Sequence, residues 1–404
     1  MSSDTSGSSM VGLRRPADLA PGPDPGHDPA LLAQIHDEIR TQGPMTFARF
    51  MELALYAPGL GYYATGRRGP GRRADFLTAP ESHPIFGWAV ARQVEEIWSR
   101  LGRPGRFTVR EFGAGTGALA AAIVDGLGRS GSPLLGALRY QVVERAPARL
   151  REIHDRLARL GASAILEPDD EAPIEGVILA NEVLDALPVH RVEGRGTGDL
   201  EELFVGLDGT GQLATIPAAP SSPDLAARLA AEGITLRPGQ RAEICLAVDR
   251  WMADAAAGLG RGAMLLIDYG HPAAALYDQA RGSLLRAYTR HRVHDDPFAS
   301  VGRQDLTAHV DLTAVEHAAA DAGLTHLGTT TQAAFLAGLG AGELLVGLQT
   351  APAMDMGTYL GARAALHRML DPGVTGSFAV LVFGRGMPEG PALTGLAGGL
   401  PAGA

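Results

Sequence analysis

Glu111, Gly113, Gly115 and Gly117 stand together in the string TVREFGAGTGALAAAIV, residues 108–124. A short apolar run precedes them and an alanine-rich, helix-prone run follows. Glycines at such a junction allow a sharp turn and close backbone approach to a ligand, and the helix behind them presents unpaired N–H groups. This is how an α/β unit receives a nucleotide-like end. The spacing Gly-x-Gly-x-Gly departs from the Gly-x-Gly-x-x-Gly dinucleotide fingerprint, and no Lys-Ser/Thr pair follows to make a triphosphate loop. Glu111 adds a charge argument: an acid at the strand end is awkward beside a pyrophosphate and favourable beside a cation. S-adenosylmethionine carries a sulfonium and an ammonium and no phosphate, so it suits the site better than NAD. Glu144 ends the next apolar run, YQVVE, where a carboxylate can accept both ribose hydroxyls. That supports an adenosine and does not separate the two cofactors.

Further acids fall where a substrate would sit. Asn181, Glu182 and Asp185 follow the run GVILA in ANEVLDALPVHRV, with Leu184 and Leu187 placed to hold the turn against the core. Carboxylates crowded at a strand end are costly unless they meet a cation or a polar substrate. A guanidinium or amine acceptor would be held and oriented by such a pair; helix capping by Asp185 is the plainer alternative. LLIDYG brings Asp268 and Tyr269 to the next strand end. The segment RHRVHDDPFASVGRQDLTAHVDLTAV then concentrates His291, His294, Asp295, Asp296, His309 and Asp311. His and Asp are competent metal ligands, but the spacing matches neither His-Glu-x-x-His nor a calcium loop, and methyl transfer from a sulfonium needs no metal. No metal site is expected. The segment reads as an ordered loop over the pocket, with Asp311 capping the helix LTAVEHAAADAG. Asp185 and His291 are the candidates to assist proton loss from an acceptor.

Strand–loop–helix repetition from residue 107 positions these groups. FTVREF, RYQVVE (139–144) and GVILAN (176–181) are strands with helices ALAAAIVDGL and PARLREIHDRLARLG between them, and a weaker strand lies near SAILEP. Apolar runs alternating with helices predict a mostly parallel sheet covered on both faces. The rhythm breaks between Val189 and Gly260, where small antiparallel strands, an Asp208-Gly209 turn and helices around 223–232 and 241–258 predict an insertion. AMLLIDYG (263–270) resumes the sheet, and FAVLVFGRG is expected as an antiparallel edge strand. Before residue 107, Asp28-Pro29 opens one helix and Thr46 caps another, with Phe47, Phe50, Met51, Ala54 and Leu55 on one face.

Hydrophobic residues at 46% of 404 residues can fill a sizeable core, and a formal charge of -10 argues against non-specific grip on nucleic acid or anionic lipid. The basic loop at Arg67, Arg68, Arg72 and Arg73 is read as solvated. The single cysteine, Cys245, excludes an internal disulfide or a multi-cysteine cluster and is read as a small buried residue on a helix. No run is apolar enough to span a bilayer. The opening residues show neither a secretory nor a mitochondrial leader pattern, so a disordered tail over 1–27 and a cytoplasmic protein are expected, and 386–404 is expected to be a second disordered tail.

EFGAGTG resembles motif I of class I S-adenosylmethionine-dependent methyltransferases. PMTFARFMELALYAPGLGYY, DFLTAPESHPIFG, NEVLDALPVHRV, LLIDYG and the His/Asp-rich segment resemble the MidA/NDUFAF7 family over roughly residues 30–385. The resemblance implies a Rossmann-like, seven-stranded α/β sheet over 106–385, an N-terminal helical addition over 28–105, and an insertion at about 190–260 before the fifth strand. It places Gly113, Gly115 and Gly117 on the cofactor loop, Glu144 on the ribose, and Asn181, Glu182 and Asp185 at the catalytic pocket. It implies a protein substrate, with arginine favoured through Glu182, and leaves room for a homodimer. The mitochondrial member resembles an arginine methyltransferase acting on a complex I subunit, a substrate that is not carried over to this chain. Another protein residue, a small molecule, an NAD-dependent oxidoreductase and a non-catalytic assembly protein remain the alternatives.

Overall fold

The computed structural model describes residues 26–65, 78–144, 146–169, 172–196, 198–278, 283–289, 292–349 and 355–398. Residues 1–25, His291 and the basic loop at Arg67, Arg68, Arg72 and Arg73 lie outside the described residues.

The chain enters through two helices whose starts follow their side chains. Asp28 accepts hydrogen bonds from the Ala30 and Leu31 N–H groups at the head of Pro29–Gln42, and Gly43 ends that helix at φ +87°. Thr46 caps Phe47–Tyr56 through the Arg49 N–H. A short helix at Ala79–Ser82 and a long one at Ile85–Arg100 follow.

Strands β1 (Phe107–Phe112), β2 (Leu138–Val143), β3 (Leu166–Glu167) and β4 (Ile174–Asn181) then alternate with helices. After an excursion of four strands, β5 (His190–Gly196), β6 (Asp199–Leu207), β7 (Leu213–Ala218) and β8 (Arg241–Ile244), the chain returns as β9 (Leu259–Asp268). Short strands β10 (Gly270–His271), β11 (Leu285–Thr289), β12 (Arg292–His294), β13 (Asp305–Ala308) and β14 (Val310–Asp311) precede the final pair, β15 (Thr325–Thr331) and β16 (Ala379–Arg385).

Seven strands form one mixed sheet in the order β15-β16-β9-β4-β1-β2-β3. Strand β16 runs antiparallel to both neighbours, while β9, β4, β1, β2 and β3 pair in parallel. Successive residues of a strand face opposite sides of a sheet, and both faces are covered. In β4, Val177 and Leu179 join the core under Ile85–Arg100 and Ala118–Arg129, whereas Ile178 and Ala180 join the core under Ala247–Ala257 and Leu312–Asp321. This is why the central strands read as unbroken apolar runs.

Three expectations need correction. Strand β16 is internal, because THLGTTT supplies β15 outside it. Residues 241–258 are not one helix: Arg241–Ile244 pairs antiparallel with His190–Glu193 as β8, the helix starts at Ala247, and Cys245 sits partly buried in the link. Long-range pairing there overrides local helical preference. The expected C-terminal disorder does not hold over 386–398, where Thr394–Leu396 makes a turn of 3-10 helix and buried Leu393 and Leu396 join the main core.

A third core lies beyond the sheet. Phe47, Phe50 and Met51 of the second helix pack with Val189, Val205 of β6, Leu285 of β11 and Leu306 of β13. Met45 and Val205 exchange two backbone hydrogen bonds of 3.0 and 2.8 Å. The N-terminal helices, the four-stranded sheet β7-β6-β5-β8 and the three-stranded sheet β12-β11-β13 are thus fastened to one another.

Candidate active site

The glycine loop follows β1. Gly113, Gly115 and Gly117 have φ of +64°, +54° and +74°, values that side chains rarely adopt. A Cβ at Gly113 would lie 2.9 Å from Val183, and one at Gly117 2.9 Å from Ile153. The helix Ala118–Arg129 starts after Gly117 without a side-chain cap, so its first N–H groups face the loop. Glu144 accepts from the Gly115 N–H at 3.1 Å and from the Ala146 N–H at 3.0 Å. It therefore shapes the loop, and each oxygen retains a lone pair for a ribose hydroxyl. Glu111 is buried and accepts a 2.5 Å bond from the Tyr140 hydroxyl. Burial pushes its pKa up to about 7, against the pull of that bond and with help from Glu144.

A cavity of about 660 Å³ opens over this loop and continues to the end of β4. Glu111, Gly113, Gly115 and Glu144 line it, as do Asn181, Glu182 and Asp185. Gly117 is not among the lining residues; it turns the chain into the helix. His291 lies outside the described residues, so the structure assigns it no position.

Three carboxyl groups meet at the strand ends. Glu182 takes φ +53°, unusual for a side chain with a Cβ, and its N–H bonds the Ile267 carbonyl at 2.8 Å. Asn181 donates to Glu182 at 3.1 Å. Asp185 lies in the short turn Leu184–Ala186 and is 6% exposed. The Tyr269 hydroxyl donates to Asp185 Oδ2 at 2.7 Å, and Oδ1 is buried without a hydrogen-bond partner. Asp268 builds the turn: its Oδ2 accepts from the Val183, Leu184 and Asp185 N–H groups at 3.1, 2.8 and 3.2 Å. Capping is the work of Asp268, which leaves Asp185 aimed into the cavity. Burial raises the pKa of Glu182 to about 8, with Asp185 adding to it, and raises that of Asp185 to about 6. Asp268 is pushed up as well, by burial and then by Asp185 and Glu182, while its backbone bonds oppose the shift.

The rest of the lining includes the N-terminal region and β11, which sequence reasoning did not bring to the site, and β13, whose segment was expected over the pocket. Tyr56 and Tyr63 belong to the N-terminal region, their rings stacked at 5.7 Å, and the Tyr56 hydroxyl donates to the Ala186 carbonyl at 2.9 Å. Tyr288 of β11 and Asp305 of β13 face each other in register and also line the cavity. Glu81 accepts a hydrogen bond from Thr116 of the loop. The string LYAPGLGYY carried the one readable signal, a tyrosine cluster with no helical period to bury it. In the His/Asp-rich segment, Asp305 and Thr307 line the cavity, whereas Asp311 caps Leu312–Asp321 through the Ala314 N–H, as expected. Among the described residues no group of three or more His, Cys, Asp or Glu side chains gathers as a metal site, and no helix is long and apolar enough to cross a membrane.

The arrangement fits S-adenosylmethionine by its own features: a cradle of positive-φ glycines, an open helix N-terminus, an acid at each of the first two strand ends, and no phosphate-binding lysine. Comparison with known proteins agrees. Residues 89–330 match the family described as "Putative S-adenosyl-L-methionine-dependent methyltransferase". A crystal structure of a COG1565 superfamily member from Burkholderia thailandensis, bound to S-adenosyl-homocysteine, superposes with a TM-score of 0.83 at 36% identity, covering 92% of this chain and 96% of that one. Among curated proteins, the Drosophila melanogaster "Protein arginine methyltransferase NDUFAF7 homolog, mitochondrial" is 29% identical over 77% of this chain and 75% of its own length. The Rattus norvegicus "Protein arginine methyltransferase NDUFAF7, mitochondrial" is 29% identical over 78% and 75%. Both relatives are named as mitochondrial, which overturns the expected cytoplasmic location. With its glycine cradle and acid-lined cavity, the chain belongs to this family of S-adenosylmethionine-dependent methyltransferases.

Proposed function

We propose that this methyltransferase modifies an arginine side chain of a protein substrate. The observation that carries the reading is the buried, unpartnered Oδ1 of Asp185 in a cavity shared with Glu182. A buried acceptor atom without a donor is costly unless a ligand supplies one, and a guanidinium supplies several in a planar fork. The names of the curated relatives point the same way. The strand order, with its one reversed strand next to the edge, supports a class I Rossmann-like sheet over 106–385, preceded by a helical region at 28–105 and interrupted by an insertion at about 190–260.

S-adenosylmethionine, when bound, would supply the methyl group, its sulfonium becoming a neutral thioether. The chain's own residues do the remaining work. Gly113 and Gly115, with Glu144, hold the adenosine end, and Glu111 places negative charge near the cationic end. Glu182 and Asp185 grip the acceptor and fix one nitrogen towards the methyl carbon, which is catalysis by orientation. As the new C–N bond forms, that nitrogen gives up a proton. Glu182, held mostly protonated in the free protein by burial and Asp185 at a pKa of about 8, is drawn into its ionised form by the guanidinium beside it and can then receive that proton. Asn181 orients Glu182 and Asp268 orients Asp185, so both act through a neighbour.

The test is incubation with methyl-labelled cofactor and cell extract, followed by hydrolysis of the protein fraction. Methylarginine is expected, and Glu182→Gln is expected to lower its formation at least tenfold. Label confined to a small metabolite, or appearing on lysine, would replace the arginine reading with one of its alternatives.

A further inference from the structure

The cavity extends past Glu182 and Asp185 to a wall that the seven-stranded sheet does not supply. Asp305 of β13 and Tyr288 of β11 are cross-strand partners in the three-stranded sheet, and Tyr63 comes from the N-terminal region. Asp305 is 1% exposed yet borders the cavity. The only basic side chains bordering the cavity among the described residues are Arg149 and Arg250, and each already has an acidic partner on its own helix, Glu152 at 2.7 Å and Asp254 at 3.6 Å. Asp185 Oδ1 is buried and awaits a donor on the same cavity. Aromatic rings and a third acid, on a strand packed against the turn that carries Asp185, suit a delocalised planar cation. Its edges donate hydrogen bonds to carboxylates, and its faces rest on rings.

We infer that Asp305 and Tyr288 form a wall of the acceptor subsite and set its preference for a guanidinium over a neutral group of the same shape. Resting on the arginine reading above, this adds specificity-determining residues contributed by the auxiliary sheet. Glu182 and Asp185 hold the reacting nitrogen of the acceptor; Asp305 accepts from another of its N–H groups, and Tyr288, beside it in register, covers a face. The seven-stranded sheet binds the cofactor, and the small sheet selects what may be methylated.

The experiment titrates n-butylguanidinium and its neutral isostere n-butylurea, by calorimetry, into protein saturated with S-adenosylhomocysteine. The parent is expected to prefer the guanidinium by at least about tenfold. Asp305→Asn is expected to reduce that preference by about tenfold, with S-adenosylhomocysteine affinity held within about twofold. A variant that keeps the parent's full preference overturns the inference and leaves the arginine reading standing. Equal weakening of both ligands also overturns it, because that is loss of shape and not of charge recognition. A parent that binds S-adenosylhomocysteine and shows no preference sinks the arginine reading, and this inference with it. If Asp305→Asn does not fold, Tyr288→Leu decides: guanidinium affinity must fall about fivefold while S-adenosylhomocysteine affinity stays level. Unchanged guanidinium binding there refutes the wall.

Discussion

At Glu111, burial favours the protonated carboxyl, and a cationic cofactor bound over the loop would favour the ionised one. Burial holds its pKa up to about 7 despite the bond from Tyr140. A cation nearby favours the ionised form. In the free protein the carboxyl is mostly protonated at about pH 6 and mostly ionised at about pH 8, so cofactor affinity should rise about tenfold across that span. Glu111→Gln should flatten the rise, and calorimetric titration of S-adenosylmethionine at the two pH values measures it. An equal slope in parent and variant would remove Glu111 from the cofactor's charge balance. The sign for folding is the reverse. A carboxyl whose folded pKa is raised stabilises the fold below its ordinary value of 4.5, and that stabilisation is lost as pH climbs through about 7. Glu182, raised to about 8, extends the same loss upward. The cofactor-free protein should therefore melt at a lower temperature at pH 8 than at pH 5.5.

Among the elements, the centre of the sheet is where one atom matters most. Gly176 of β4 lies between Thr108 of β1 and Gly262 of β9, and a Cβ on it would sit 1.9 Å from the Thr108 carbonyl oxygen. No rotamer relieves a clash with backbone. Gly176→Val should force β1 and β4 apart and destabilise the protein by more than about 3 kcal/mol, or prevent its folding. Denaturant unfolding checks this, and a loss below about 1 kcal/mol would mean that the strands pair with more freedom than their register implies. The same strands show why part of the fold could be read in advance. GVILAN and AMLLID are buried on both faces, so composition alone marks them. THLGTTT, half exposed at the edge, has no such run, and its pairing with β16 left FAVLVFGRG looking like the edge. RAEI became a strand only because His190–Glu193 lies beside it. The site divides the same way. Glu111, Glu144, Glu182 and Asp185 follow strands that composition exposes, whereas Tyr56, Tyr63, Tyr288 and Asp305 are gathered by tertiary contacts between short elements.

In the whole molecule, the glycine loop and the proposed acceptor wall stand on different cores. The glycine loop stands on the sheet and its two helical layers. The tyrosine wall stands on the third core, in which Phe50 packs edge-on against Phe298 at 5.3 Å and against Phe47 at 5.6 Å. Because that core ties Phe47–Tyr56 to β6, β11 and β13, loosening it moves Tyr56, Tyr63, Tyr288 and Asp305 together. Phe50→Ala removes a fully buried ring and should cost about 3–5 kcal/mol. If the residual stability holds the fold at 15 °C, S-adenosylmethionine affinity should change by less than about threefold, since no cofactor-loop residue leans on Phe50. The KM for the protein acceptor should rise about tenfold or more, because a wall displaced by an ångström no longer meets its substrate. Paired calorimetry and steady-state kinetics on the same preparation separate the two effects. A parallel fall in cofactor affinity and acceptor recognition would show that the cores act as one unit. The preserved cofactor affinity expected instead would place acceptor choice in the elements that surround the sheet.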